Sequence, residues 1–201
     1  MALSDLLGGT PEKIALAGGE LRFWPAFLAP DAAAQLCAEL LAETPWVQSH
    51  LVIAGRERPI PRLNTWYGDP GADYSYSGAR MTRHPWPTAL TSLKTAVETR
   101  CATHFNSALL NLYRDGNDSV AWHSDDEPEL GQEPLIATLS LGALRTLELR
   151  AKADRTRLRL PLPAGSLLLM AGTLQRCWQH RIAKITVPVG PRISITWRQV
   201  T

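Results

Sequence analysis

A chain of 201 residues, 45% apolar and 20% charged, can bury one core and leaves little room for a second domain. No run approaches the ~20 apolar residues that a bilayer-crossing helix needs, and 21 basic against 19 acidic residues exclude a highly charged disordered chain. The net charge of +2 leaves any nucleic-acid partner to be argued from a local patch, and three cysteines without a C-x-x-C spacing, Cys37, Cys101 and Cys177, speak against a disulfide framework or a cysteine zinc site.

Residues 1–20 are rich in Gly and Ala and are expected to be loosely held; Met1 to Thr10 carry no basic stretch before an apolar one, so a cytoplasmic protein is expected. Asp31 stands before a run of helix formers, Ala32 to Leu41, and reads as the N-cap of a helix closed by Pro45. A second helix is expected from near Pro87 to about Thr103, with Leu90, Leu93, Val97 and Cys101 on one face. After Phe105 the pattern changes. Short apolar runs at Ala108–Tyr113, Leu135–Leu141, Thr146–Leu149, Leu158–Leu160, Ser166–Met170 and Ile193–Trp197 are separated by glycine turns. These six strands predict an antiparallel sandwich or jelly roll, hence an α+β fold whose N-terminal helices cover one sheet.

The chemistry concentrates between Asn111 and Glu127. His123 and Asp125 are two apart, so on an extended segment both side chains leave one face. They could supply two ligands of a 2-His-1-carboxylate triad, which leaves positions open on Fe(II) for oxygen and a co-substrate. A solvated surface turn would show the same spacing. A second histidine would have to come from His50, His84, His104 or His180; the last lies beside Trp178, where a packed or exposed histidine is more ordinary than a ligand.

In the final run Arg192, Ser194, Thr196 and Arg198 alternate with Ile193, Ile195 and Trp197. An amphipathic strand with its polar side in water fits this pattern. So does a strand whose polar side faces the interior, where two arginines could clamp a dicarboxylate through their planar forks. Asn111 and Tyr113, again two apart, could add hydrogen bonds to the same ligand.

Several ordered motifs narrow these alternatives. His123-Ser124-Asp125-Asp126-Glu127, the later His180, Asn111-Leu112-Tyr113 and the Arg192 to Arg198 run resemble the AlkB family of Fe(II)/2-oxoglutarate dioxygenases. Pro61-Arg62-Leu63-Asn64-Thr65-Trp66-Tyr67-Gly68, Tyr74-Ser75-Tyr76-Ser77 and Phe105-Asn106-Ser107 are similar too, and the likeness is nearest to homologues that prefer single-stranded DNA and RNA. It covers the chain from about Leu21 to its end.

The resemblance implies a double-stranded β-helix, with 21–201 as one dioxygenase domain: 21–104 as substrate lid and supporting helices, 105–201 as jelly-roll core. It implies Fe(II) on His123, Asp125 and His180, and 2-oxoglutarate held by Asn111, Tyr113, Arg192, Ser194, Thr196 and Arg198. Ser194 departs from the asparagine frequent there, which implies weaker 2-oxoglutarate binding without loss of activity. Tyr74 and Tyr76 would lie on the lid, with Tyr76 stacking on the methylated base; Asp126 and Glu127 would suit a cationic base. The implied reaction is oxidative demethylation of bases such as 1-methyladenine and 3-methylcytosine in single-stranded DNA or RNA, using O2 and releasing succinate, CO2 and formaldehyde. No membrane and no obligate protein partner are expected.

Four further expectations stand beside this one. The same iron chemistry could act on a protein side chain or small metabolite, and a non-catalytic jelly-roll binding module would carry H-x-D incidentally. The basic run Arg145, Arg150, Lys152, Arg155, Arg157 and Arg159 reads either as a solvated face or as phosphate contacts. A hairpin over Leu51 to Arg58, with Ile53 and Ala54 at its tip, offers little to wedge into a duplex.

Overall fold

The computed structural model describes residues 9–53, 55–72, 75–76 and 79–201. In chain order it contains β1 (Glu12–Leu16), β2 (Gly19–Trp24), α1 (Pro30–Glu43), β3 (His50–Ile53), β4 (Arg56–Pro59), β5 (Leu63–Gly68), β6 (Ser75–Tyr76), β7 (Ala79–Arg80), β8 (Arg83–His84) and α2 (Thr88–Cys101). There follow β9 (Ser107–Tyr113), β10 (Val120–His123), β11 (Ile136–Gly142), β12 (Arg145–Ala151), β13 (Arg157–Leu162), β14 (Leu167–Gly172), α3 (Leu174–Cys177), β15 (Trp178–Ile182) and β16 (Arg192–Arg198). The large sheet runs β1-β2-β14-β11-β16-β9-β5-β8 and the small one β10-β15-β12-β13. That is the expected jelly-roll core. Among the described residues no helix is long and apolar enough to cross a membrane.

The two faces of the large sheet do different work, because strand side chains alternate. One face of β16 and β9 presents Ile193, Ile195, Trp197, Ala108, Leu110 and Leu112 to a core shared with Leu40 of α1 and with Leu90, Leu93 and Val97 of α2. The helices therefore cover one sheet, as anticipated. The other face looks toward the small sheet, where Phe23, Ile136, Leu168 and Met170 meet Leu147, Leu149, Leu160, Leu162 and Ile182. All seven residues of β16 are buried, so its polar side is inside and not in water.

Three expectations need correction. Residues 12–16 are not loose: they pair residue for residue with β2 and extend the large sheet. Gly19 lets β2 lie close against β14 on its other side, since a Cβ there would run into the Ala171 carbonyl oxygen. Asp31 is not the N-cap of α1; Ala29 is, without a side-chain cap, and Pro30 opens the helix. Proline suits that place because its fixed φ is helical and its missing N–H would be unpaired there. Finally, β1, β2, β5 and β8 all join the large sheet, so the chain before residue 104 is built into the core as well as around it.

The hairpin of β3 and β4 forms with Ile53 opposite Arg56. Ile53 is therefore a paired strand residue, not a tip residue, and Gly55 before Arg56 has φ +74°, which a tight turn favours. Ala54 itself lies outside the described residues.

Candidate active site

His123 ends β10 and His180 sits in the middle of β15, and the antiparallel register places them directly opposite each other. Their ring centroids are 4.2 Å apart. Asp125, just beyond β10, turns back between them: its Oδ1 lies 3.7 Å from His123 Nε2 and its Oδ2 4.0 Å from His180 Nε2. One ligand atom from each residue falls within 4.8 Å of the others. His50 and His84 belong to β3 and β8, and the His104 side chain is 94% exposed. None of these three joins the cluster.

The surroundings fix the cluster in a ligating state. His123 Nδ1–H donates to the Ala121 carbonyl at 2.9 Å, which orients the ring so that Nε2 is the nitrogen turned toward Asp125. Burial, together with the His123 ring, pulls the His180 imidazole down to about 3, so the ring is neutral. Burial alone would raise the Asp125 carboxyl, but the Arg198 guanidinium beside it outweighs burial and holds it well below the usual carboxylate range. Arg198 Nη2 donates to Asp125 Oδ2 at 3.0 Å. The Asp125 backbone N–H donates to Gln175 Oε1 at 3.0 Å, and Gln175 is itself buried on the short α3.

The cluster opens into a cavity between the sheets with about 570 Å³ of empty space, its open mouth included. Asn111, Tyr113, Arg192, Ser194, Thr196 and Arg198, the residues expected to hold 2-oxoglutarate, all line it. Register explains the grouping: Ser194 pairs with Asn111 on one side and Ser140 on the other, while Arg192 pairs with Tyr113. The two arginines lie at opposite ends. Arg198 is beside Asp125; Arg192 packs over the Tyr113 ring at 5.1 Å and donates to Ser140 Oγ at 2.9 Å. Burial pulls the Arg192 guanidinium below its ordinary value.

Other expected residues are placed differently. Tyr74 lies outside the described residues, and Tyr76 is described only in its backbone, as the strand partner of Ala79. Asp126 and Glu127 do not line the cavity; the Asp126 carboxylate is 3.5 Å from Lys152 Nζ, and Glu127 Oε2 is buried without a hydrogen-bond partner. Arg145, read as part of a basic surface run, is buried: it donates to the carbonyls of Asp115, Asp118 and Ala183 and lies over the Tyr113 ring.

Sequence reasoning assigned no role to Arg62, Ser140 or Gln175. Arg62 lines the cavity and donates to Asn111 Oδ1 at 2.9 Å. Ser140 could have been found from the alternation Thr138-Leu139-Ser140 opposite β16. Nothing in the local pattern marks Gln175.

The 2OG-Fe(II) oxygenase superfamily model matches residues 20–198. Mouse and human alpha-ketoglutarate-dependent dioxygenase alkB homolog 3 are each 41% identical over 187 residues, which is 88% of this chain and 65% of theirs. Human DNA oxidative demethylase ALKBH2 is 33% identical over 156 residues, 74% of this chain and 60% of its own. The chain is an AlkB-family member of the 2OG-Fe(II) oxygenase superfamily. It spans about two thirds of the length of these relatives. The solved structure of OsALKBH1 shares the fold, with a TM-score of 0.65 at 15% identity over 94% of this chain and all of that one.

The AlkB-family groups fit the residues present. Asp125 Oδ1 is buried without a hydrogen-bond partner, in a cluster where His123, Asp125 and His180 each offer a ligand atom within 4.8 Å of the others. A divalent cation accepting these three ligands satisfies all of them and leaves positions open. Arg192 Nε and Nη1 are likewise buried and unpartnered at the far end of the cavity. A carboxylate there supplies the fork partner that such a guanidinium lacks.

Proposed function

We propose that this protein oxidatively removes N-linked methyl groups from alkylated bases, such as 1-methyladenine and 3-methylcytosine, in single-stranded DNA or RNA. Fe(II), O2 and 2-oxoglutarate are consumed, and succinate, CO2 and formaldehyde leave. The observation that carries this reading is the pairing, in one cavity, of an open three-ligand cluster with a buried arginine, Arg192, two of whose nitrogens lack hydrogen-bond partners. The names of the relatives, a dioxygenase and a DNA oxidative demethylase, support the substrate class.

When bound, Fe(II) and 2-oxoglutarate supply the O2-driven oxidation of a C–H bond. The chain's own residues do the rest. His123, Asp125 and His180 offer one face of ligands, with Asp125 kept ionised by Arg198. Arg198 serves the metal end and Arg192 the distal carboxylate, while Asn111, held by Arg62, and Tyr113 border the space between them. Leu109, Leu147, Leu168 and Ile182 give that space apolar walls that keep bulk water out. On this reading Asp126 and Glu127, beside the metal-site residue Asp125 in the chain, favour the positive charge of the methylated base.

The β3–β4 hairpin supports the preference for single strands. Its described tip residue is Gly55, its second strand is the exposed Arg56-Glu57-Arg58-Pro59, and among its described side chains the exposed apolar one is Val52, set back opposite Glu57. Unstacking a paired base costs a few kcal/mol per step, which a bulky wedge must offset. At fixed salt, a 1-methyladenine in a single strand should be demethylated faster than in a duplex; equal or faster rates on the duplex contradict the preference.

A further inference from the structure

The outward face of the small sheet carries an arrangement that the catalytic cavity does not use. Between Val120 and His123 the register of β10 against β15 shifts by one residue. While His123 points inward, the Trp122 ring takes the Arg150 guanidinium at 4.3 Å and that of Arg181 at 4.5 Å. Arg150 donates to Gln179 Oε1 at 2.7 Å, and its buried Nε has no hydrogen-bond partner. Next to it on β13 stands Arg157, directly opposite in register, with Arg155 in the connecting turn.

Charge on this face is unbalanced. Among the described strand residues of this face the carboxylate is Glu148, already taken by Arg181 at 2.7 Å and Arg159 at 3.6 Å, while Asp154 in the turn accepts the Thr156 backbone N–H at 2.9 Å. Among the described residues, neither Arg150 nor Arg157 has a carboxylate within ion-pair distance. Like charges directly opposite each other on a sheet are unfavourable, and burial and the charges of Arg155, Arg157 and Arg181 push the Arg150 guanidinium below its ordinary value. An anion on this face would relieve that repulsion. Stacking on Trp122 holds the guanidinium planes in place at little further entropic cost and leaves their N–H edges for oxygen acceptors. The row is also next to the chemistry, since Trp122 immediately precedes the metal-site residue His123.

We propose that this face is a second nucleic-acid contact, in which Arg150 and Arg157 hold consecutive phosphates of the strand flanking the base presented at His123. It rests on the nucleic-acid reading above and extends it: strand length beyond the target base is recognised by the back of the small sheet. A phosphodiester backbone suits the site because it repeats one negative charge per residue, matching arginines repeated across neighbouring strands.

The test is equilibrium binding, by fluorescence anisotropy, of a labelled single strand carrying one 1-methyladenine. The protein is loaded with Fe(II) and 2-oxoglutarate under argon, and salt is varied between about 50 and 200 mM. For Arg150→Gln with Arg157→Gln, the slope of log affinity against log salt should flatten by about 1.4, near 0.7 for each phosphate of a single strand that is no longer neutralised. The ratio of affinity for a long strand to that for a methylated trinucleotide should fall about tenfold. Exposed Arg157→Gln alone should flatten the slope by about 0.7, which keeps the test available if the double variant folds poorly. An unchanged slope overturns the proposal, as does competition by polyglutamate as strong as that by the strand. Turnover measured on the same preparations separates the two readings. If the wild type demethylates while the slopes are unchanged, only the surface fails; if slopes flatten without wild-type turnover, only the reaction fails.

Discussion

His123 and His180 face each other across a single antiparallel strand pair, with ring centroids 4.2 Å apart and Asp125 between their Nε2 atoms. Two ligands thus come from one register position and the third from the residue two places on. Losing either histidine leaves a bidentate site. His123→Ala and His180→Ala should each lower turnover at least ~100-fold and abolish Fe(II) binding measured by titration, with a near-native circular dichroism spectrum. His104→Ala, at an exposed position, should behave as the wild type. Full-rate turnover by His180→Ala would remove the metal assignment.

Arg192 presents a contrast between stability and binding. It is 1% exposed, with two nitrogens lacking partners. Replacing a buried uncompensated charge by an apolar side chain is neutral or stabilising, so Arg192→Met should have a Tm equal to or above the wild type without co-substrate. The rise in Tm that 2-oxoglutarate gives the wild type should vanish, and KM for 2-oxoglutarate should increase ~10–100-fold, the worth of a charge-assisted bond of about 1.5–3 kcal/mol. Thermal scans with and without the co-substrate read both effects. A 2-oxoglutarate shift retained in Arg192→Met would place the distal carboxylate elsewhere.

Gln175 acts through another residue. Its amide oxygen accepts the Asp125 backbone N–H, and its Nε2 lies 3.5 Å from Met170 Sδ. Gln175→Leu keeps the volume and removes the acceptor. Support at this distance from a metal typically contributes 10–100-fold in affinity or activity. The variant should need about that much more Fe(II) for half-maximal turnover, with kcat at saturating iron far less affected. Gln175→Glu, which keeps an oxygen acceptor, should restore much of the loss.

How much of this was legible depends on whether a residue obeys the alternation of its strand. The β9, β11, β14 and β16 runs are apolar enough to declare themselves, and the buried polar side of β16 was one of two readings that only packing against the small sheet decides. β15 hides because Gln179, His180 and Arg181 read as a polar surface, although His180 is buried for the sake of the metal site. β1 hides because its strand character comes from pairing with β2 more than from its own composition. The His-x-Asp spacing was visible, but His180 was reachable only through the family motif, since 56 residues separate it from His123 and no local rule links them. Gln175 sits on a one-turn helix too short to leave a periodic signal.

Ser194 offers a test in the opposite direction, by adding reach. It lies between Asn111 and Ser140 in register, on the cavity wall. Ser194→Asn adds an amide reaching further into that space, so KM for 2-oxoglutarate should be equal or lower. A KM raised several-fold would mean that the pocket has repacked around the shorter serine.

The hairpin tip gives a test of strand preference. Ala54→Phe adds an aromatic wedge beside Gly55, and base unstacking is what such a wedge offsets. The duplex rate should rise while the single-strand rate changes little. No change in either rate would place the hairpin away from the nucleic acid and leave the preference to be explained by other residues.

The most direct test of the central claim is coupled stoichiometry. Purified protein is supplied with Fe(II), 2-oxoglutarate and ascorbate and given a single strand with or without one 1-methyladenine. Formaldehyde, succinate and repaired adenine are quantified together. The methylated strand should yield the three in equal amounts, with succinate falling sharply on the unmethylated strand and all three absent in His123→Ala. Succinate formed at the same rate on both strands, with no formaldehyde and no repaired base, would contradict a nucleic-acid demethylase and assign the iron site to another substrate.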